Sequence, residues 1–255
     1  LAVREVLWSF LNPDWPPAPA DQGGREGPAM KTTTRVRLQR KIEKLKSQVL
    51  DLATQVEEAV QLALEAVRLR DADLAAKVID GDLDIDRMEV DLEEECLEIL
   101  ALHQPVANDL RFLIAMLKIN TFLERIGDLA VNIAETAIFL ASAERIEVAE
   151  EYFIMAERVQ KMLDKALGSF INMSADSAFA VLADDDEVDM MKHKLHSDFE
   201  KHIKEDSAHH AALIQMFLVS RNLERMADQA TNIAEEVIYM ITGEIVRHGR
   251  GERKT

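Results

Sequence analysis

Apolar residues recur at steps of three and four from Leu38 onward: Leu38, Ile42, Leu45, Val49, Leu52, Val56, Val60, Ala63 and Val67. At 3.6 residues per turn these share one stripe, so the spacing predicts an amphipathic helix ending at Arg70 and Asp71. The rhythm predicts a second helix from Asp73 to about Leu102, with Ile85, Met88, Leu92, Cys96 and Ile99 facing inward. Pro105 then punctuates the chain, and Asn108 or Asp109 is the expected cap of a third helix reaching about Leu140. The cycle repeats with a fourth helix from about Val148 to Met173 and a fifth over about Ser177 to Lys204, with Ser174 and Asp176 as capping candidates between them. A sixth runs from about Ser207 to Ile241 and meets Gly243 as a C-cap.

The two sets of three helices are copies. Leu123-Glu-Arg-Ile-Gly-Asp-Leu-Ala-Val-Asn-Ile-Ala-Glu135 aligns with Leu223-Glu-Arg-Met-Ala-Asp-Gln-Ala-Thr-Asn-Ile-Ala-Glu235, nine of thirteen positions being identical. Upstream, Ile114 and Met116 match Ile214 and Met216, and Asp82-x-x-Ile85-Asp86 is answered by Asp185-x-x-Val188-Asp189. A period of about 100 residues is too long for a solenoid repeat and suits duplication of a whole domain. The expected fold class is therefore all-α, two tandem, pseudo-symmetric three-helix bundles. The expected divisions are a leader over 1–29, a first bundle over 30–142, a second over 143–243 and a polar tail over 244–255. The leader is set apart by holding five of the six prolines and no periodicity, so it is expected to be disordered.

Composition narrows the chemistry. Thirty Lys and Arg against 47 Asp and Glu give a net charge of −17, which repels phosphate backbones and argues against nucleic-acid binding. The single cysteine, Cys96, excludes an internal disulfide framework and fits a reducing compartment; its place between Leu92 and Ile99 marks it as a packed thiol. The best apolar run, Phe112 to Ile119, is short and contains Lys118, so no membrane span is expected. No G-x-S-x-G, P-loop or G-x-G-x-x-G occurs, which leaves nucleophilic catalysis and nucleotide binding without support.

Carboxylates carry the remaining signal. On a helix Glu124, Asp128, Asn132 and Glu135 fall within about 80° of one another, and so do Glu224, Asp228, Asn232 and Glu235. Like charges at i and i+4 cost about 0.2–0.5 kcal/mol, so building the pattern twice suggests a cation that offsets it. Asp82 and Asp86 on the second helix, and Asp185 and Asp189 on the fifth, would complete four carboxylates per bundle. Oxygen donors of this kind suit hard cations. An ordinary solvated face, or salt bridges to Arg125 and Arg225, accounts for the same pattern, and Asp82, Asp86, Asp185 and Asp189 also suit helix starts. The residue spacing leaves both readings open. His193 and His196, three apart on the fifth helix, are weaker candidates because no H-x-x-x-H pair occurs. A ferritin-like oxidase would need Glu-x-x-His pairs, and none is present.

The doubled motif, together with Gln104-Pro-Val-Ala-Asn-Asp-Leu-Arg111, resembles the PhoU family over roughly residues 38–243. The resemblance implies metal clusters held by Glu/Asp-x-x-x-Asp pairs, which here are Asp82/Asp86 with Glu124/Asp128 and Asp185/Asp189 with Glu224/Asp228. The metal would be multinuclear iron, zinc, manganese or magnesium. It further implies a cytoplasmic, non-enzymatic regulator that restrains phosphate uptake and keeps the phosphate-starvation response off. Its implied partners are the ATPase of the phosphate ABC transporter and a sensor histidine kinase; it would form a homo-oligomer, a dimer, and meet the membrane only through partners. Two alternatives are a metal-free helical scaffold and an accessory protein of another phosphate permease. The second copy lacks the Pro-x-x-x-Asp-Leu-Arg segment, with Glu205 to Ala211 in its place, so the two bundles are expected to differ at that end.

Overall fold

A computed structural model describes residues 32–146, 148–205 and 209–246. The expected leader and most of the polar tail lie outside them. Six helices follow one another: α1 (Thr32–Leu69), α2 (Ala72–His103), α3 (Ala107–Ser142), α4 (Glu150–Ile171), α5 (Ala175–Glu205) and α6 (His210–Thr242). There is no strand among the described residues. Helices α1–α3 pack on one another as one bundle and α4–α6 as a second, and α3 against α6 joins the two.

Local sequence explains the elements. All nine stripe residues of α1, from Leu38 to Val67, are buried, as are Ile85, Leu92, Cys96 and Ile99 of α2, while Met88 is half-buried at the edge. The α1–α2 turn forms because Arg70 takes a left-handed conformation (φ 56°) and the Asp71 carboxylate then caps α2, accepting from the N–H groups of Asp73 and Leu74 at 2.9 and 3.0 Å. The Arg70 guanidinium crosses to the far end of α3 and donates to the carbonyls of Leu140 and Ala143. It thereby adds a donor at the carbonyl end of the helix and sets a positive charge at the negative pole.

Other caps differ from the sequence expectation. Val106, in extended backbone without a side-chain bond, precedes α3, whereas Asn108 uses its carbonyl oxygen to accept from Arg111. Asp109 lies in the first turn instead, where its charge suits the macrodipole. At α5 Ser174 does cap, its Oγ accepting from Ser177 N–H at 3.2 Å, and Asp176 is a first-turn acid. Helix α4 is two residues shorter at each end than the pattern predicts, and the expected start of α6 at Ser207 lies outside the described residues.

Gly243 ends α6 as predicted, with φ 76° and its N–H donating to Tyr239 at 2.8 Å. The Arg111 guanidinium packs directly over it, so a Cβ there would have to push that side chain aside. The Asp-Leu-Arg segment of the first bundle thus closes onto the end of the second. Gly243→Ala is expected to destabilise by about 1–2 kcal/mol from the left-handed backbone alone, read as a lowered urea midpoint.

Polar pairs fix the register of the seam between the bundles. Lys118, early in α3, donates to both oxygens of Glu236, late in α6, at 2.8 and 3.0 Å. Thr136, late in α3, donates to Gln215, early in α6, at 3.2 Å. The two helices therefore run antiparallel. Because 118 and 136 correspond by the repeat to 218 and 236, the two pairs are related by a near-twofold axis, displaced by one helical turn.

A second contact across the seam brings Glu57 of α1 beside Asp164 of α4. Burial pushes the Glu57 carboxyl up from 4.5 to about 7, with the Asp164 charge adding to the effect. The folded state therefore holds this proton more tightly than the unfolded chain does. The resulting stabilisation is complete below 4.5 and lost as pH rises through about 7. Glu57→Gln removes the titration, so its melting temperature is expected to gain on that of the parent between pH 5 and pH 8. A constant difference across that range would refute the assignment.

Candidate functional site

In the first bundle the expected carboxylates come together across the α2–α3 interface. Burial raises the Asp82 carboxyl above its usual range, and the charges of Asp86 and Asp128 raise it further. Glu124 is raised likewise by burial, then by Asp128, Glu89 and Asp86. The approach depends on Gly127, one residue before Asp128. A Cβ there would stand 3.3 Å from Ile85 Cγ2 and 3.4 Å from Asp82 Oδ1, so a bare backbone lets α2 lie close against α3.

Glu89 is a fifth member, its carboxyl raised by burial and by Glu93 and Asp86. It stands outside the Glu/Asp-x-x-x-Asp spacing, so the motif does not mark it. Its signal is position alone, one turn beyond Asp86 on the same face. Its backbone carbonyl accepts from Asn120 Nδ2 at 2.9 Å, and Asn120, 1% exposed, has an Oδ1 without a hydrogen-bond partner.

The second bundle repeats four of the five carboxylates. Asp185 is raised by burial and by Asp189, Asp186 and Glu224; Asp228 is pushed up to about 6 by burial and by Glu224, Asp185 and Asp189. Where α2 has Glu89, the offset that pairs Asp86 with Asp189 places Lys192. Its ammonium binds Glu224 Oε1 at 2.5 Å and is held in its charged form by that bond. Ser220 stands in place of Asn120 and spends its hydroxyl on the Phe217 carbonyl at 2.8 Å. The first cluster is five carboxylates beside an orphan amide oxygen; the second is four carboxylates with an ammonium among them.

An all-oxygen donor set with mutual repulsion fits a hard cation, and one turn before Glu124 the buried Asn120 carries an Oδ1 without a hydrogen-bond partner. The side chains are not a closed cage. Among the described residues no three His, Cys, Asp or Glu stand close enough to ligate one ion together, so binding requires the carboxylates to rotate inward.

Other expected participants stay apart. Asn132 and Glu135 are exposed, and neither figures among the charges that act on Asp82 or Glu124. Arg125 and Arg225 are exposed, and the ion pair of Glu224 is made with Lys192 rather than Arg225. His193 is exposed, and His196 leans on the Phe217 ring at 5.3 Å. Cys96 is fully buried, which pushes its thiol up to about 12 and leaves it inert at neutral pH. No helix among the described residues is long and apolar enough to cross a membrane.

Known proteins share this architecture. The family model for the PhoU domain matches twice, over residues 49–137 and 154–237, one match in each bundle. The chain is 39% identical over 213 residues to the phosphate-specific transport system accessory protein PhoU homolog of Aquifex aeolicus, covering 84% of this chain and 96% of that one. It is 31% identical over 211 residues to the phosphate-specific transport system accessory protein PhoU of Escherichia coli K12, covering 83% and 88%. The crystal structure of PhoU from Pseudomonas aeruginosa superposes with a TM-score of 0.79 at 35% identity, covering 81% of this chain and all of that one. With both bundles matched and relatives aligned over most of their length, the chain belongs to the PhoU family.

Proposed function

We propose that this chain is a non-enzymatic accessory regulator of phosphate uptake. It restrains the phosphate ABC transporter through that transporter's ATPase. Through a sensor histidine kinase it keeps the phosphate-starvation response off while phosphate is plentiful. It works in the cytoplasm and meets the membrane only through these partners. The observation that carries the reading is the doubled domain, aligned over nearly the whole of relatives named for the phosphate-specific transport system. Deletion of the gene is expected to raise alkaline phosphatase in phosphate-rich medium, with return to the repressed level when the gene is supplied in trans. Unchanged enzyme levels in the deletion strain would overturn the reading.

The carboxylate clusters support a cation-dependent version of this role. Asp82, Asp86, Glu89, Glu124 and Asp128 would hold a cation between α2 and α3, and Asp185, Asp189, Glu224 and Asp228 would hold one between α5 and α6. A bound cation supplies the positive charge that lets these acids ionise together. Oxygen donors favour magnesium, manganese or ferric iron over zinc. The chain's own contribution is to tie two helices of each bundle at one level. At the second cluster Lys192 already does part of this by holding Glu224 from α5, so an added cation has to displace an ammonium there. The first cluster is accordingly the stronger cation site.

A further inference from the structure

Along the outer face of α2, opposite the core, Leu83, Val90 and Leu97 stand 61%, 50% and 50% exposed. Their spacing of seven residues places them on one stripe, drifting by about 20° per step. The fold does not require apolar residues there. At the corresponding positions of α5, which packs in the same way in the second bundle, stand Asp186, His193 and Glu200, all exposed. Between Asp80 and Glu98, α2 carries ten acidic residues and one basic residue, Arg87, which is paired with Asp84 at 2.8 Å. Glu95 and Glu98 are taken up by Lys44 and Lys41 of α1. Asp80, Asp91 and Glu94 flank one side of the stripe, with Glu93 on the other.

We propose that this face docks a basic amphipathic helix of a partner protein, with aliphatic side chains at seven-residue spacing against Leu83, Val90 and Leu97 and with Lys or Arg along both flanks. Charge selects this occupant. A second copy of the chain would bring the same acids against them, and an anionic lipid surface would be repelled. Buried aliphatic contact supplies affinity, and the acids set orientation and partner choice. The inference rests on this surface alone and stands apart from the phosphate role.

The probe is a synthetic lysine-rich helical peptide with leucine at every seventh position, titrated by fluorescence anisotropy into the full chain. A companion peptide of equal charge has serine in place of leucine. The variant Leu83→Asp/Val90→His/Leu97→Glu installs the residues that α5 already carries, and Leu97→Glu alone is a milder second variant. The leucine peptide is expected to bind the parent at least tenfold more tightly than the serine peptide does, and at least tenfold more tightly than it binds the triple variant. Leu97→Glu should weaken it at least threefold. Equal binding of the two peptides, which needs no variant to fold, would overturn the proposal, as would undiminished binding to Leu97→Glu. Self-association of the parent that the triple variant abolishes would assign the face to a second copy instead. Binding of the parent, but not the variant, to phosphatidylglycerol vesicles would assign it to a membrane.

Discussion

Lys118→Met is expected to cost about 3 kcal/mol of stability, at the lower end of the ~3–5 kcal/mol found when one partner of a buried ion pair is removed. Glu236 is 5% exposed and accepts two hydrogen bonds from Lys118, so taking away the ammonium removes both of those charge-assisted bonds from a carboxylate buried in the seam. About a third of the Lys118 side chain is open to water, which is why the lower figure applies. Lys118→Met/Glu236→Leu should recover most of the loss, because an apolar pair of similar volume avoids desolvating two charges. Urea denaturation of the two single variants and the double variant closes the cycle. A loss below about 1 kcal/mol in Lys118→Met would show that the pair does not hold the bundles together.

A hard divalent cation at a hundred times its dissociation constant is expected to stabilise the protein by about 2.7 kcal/mol. The rise should vanish on addition of a chelator. Glu124→Gln/Asp128→Asn removes both carboxylates that α3 contributes to the first cluster, so this variant should lose most of the response. Without cation it should be more stable than the parent, because burial and then the neighbouring acids disfavour the ionised carboxylates of Asp82 and Glu124, and the substitutions take two of those charges out of the cluster. Glu224→Gln/Asp228→Asn should lose less of the response. Lys192→Glu should strengthen the response by giving the second cluster the first cluster's donor set, and Glu89→Lys should weaken it. Thermal melts in manganese and in magnesium, with calorimetric titration for stoichiometry, test the series. A parent whose melting temperature ignores both cations, or a series in which all members respond alike, would rule out this role for the acids.

Much of this molecule is legible in the sequence because much of its organisation is local. The α1 stripe from Leu38 to Val67 is a period that any helix of that composition must bury, and the doubled Leu-Glu-Arg motif by itself implies a second bundle. Helix starts are less readable. Ser174 caps as expected, but Asn108 spends its oxygen on Arg111, a choice made by the packing of that side chain over Gly243, more than 130 residues away. The same holds at the site. Glu124 and Asp128 reveal themselves by spacing within one helix, whereas the facts that Glu89 joins them and that Lys192 neutralises Glu224 depend on how two helices meet. Glu57 beside Asp164 and Lys118 beside Glu236 cross from one bundle to the other, and no local pattern encodes such pairs.

The near-twofold meeting of α3 and α6 has the form of an isologous subunit interface contained within one polypeptide. In a dimer of identical halves every substitution is made twice, so a glutamate at one cluster forces a glutamate at the other. Covalent joining of the halves removes that restriction. It allows Glu89 on one side of the axis and Lys192 on the other, Asn120 opposite Ser220, and an apolar outer face on α2 opposite a polar one on α5. A single chain can thus keep the interface of a symmetric pair while giving its two halves different affinities and different neighbours.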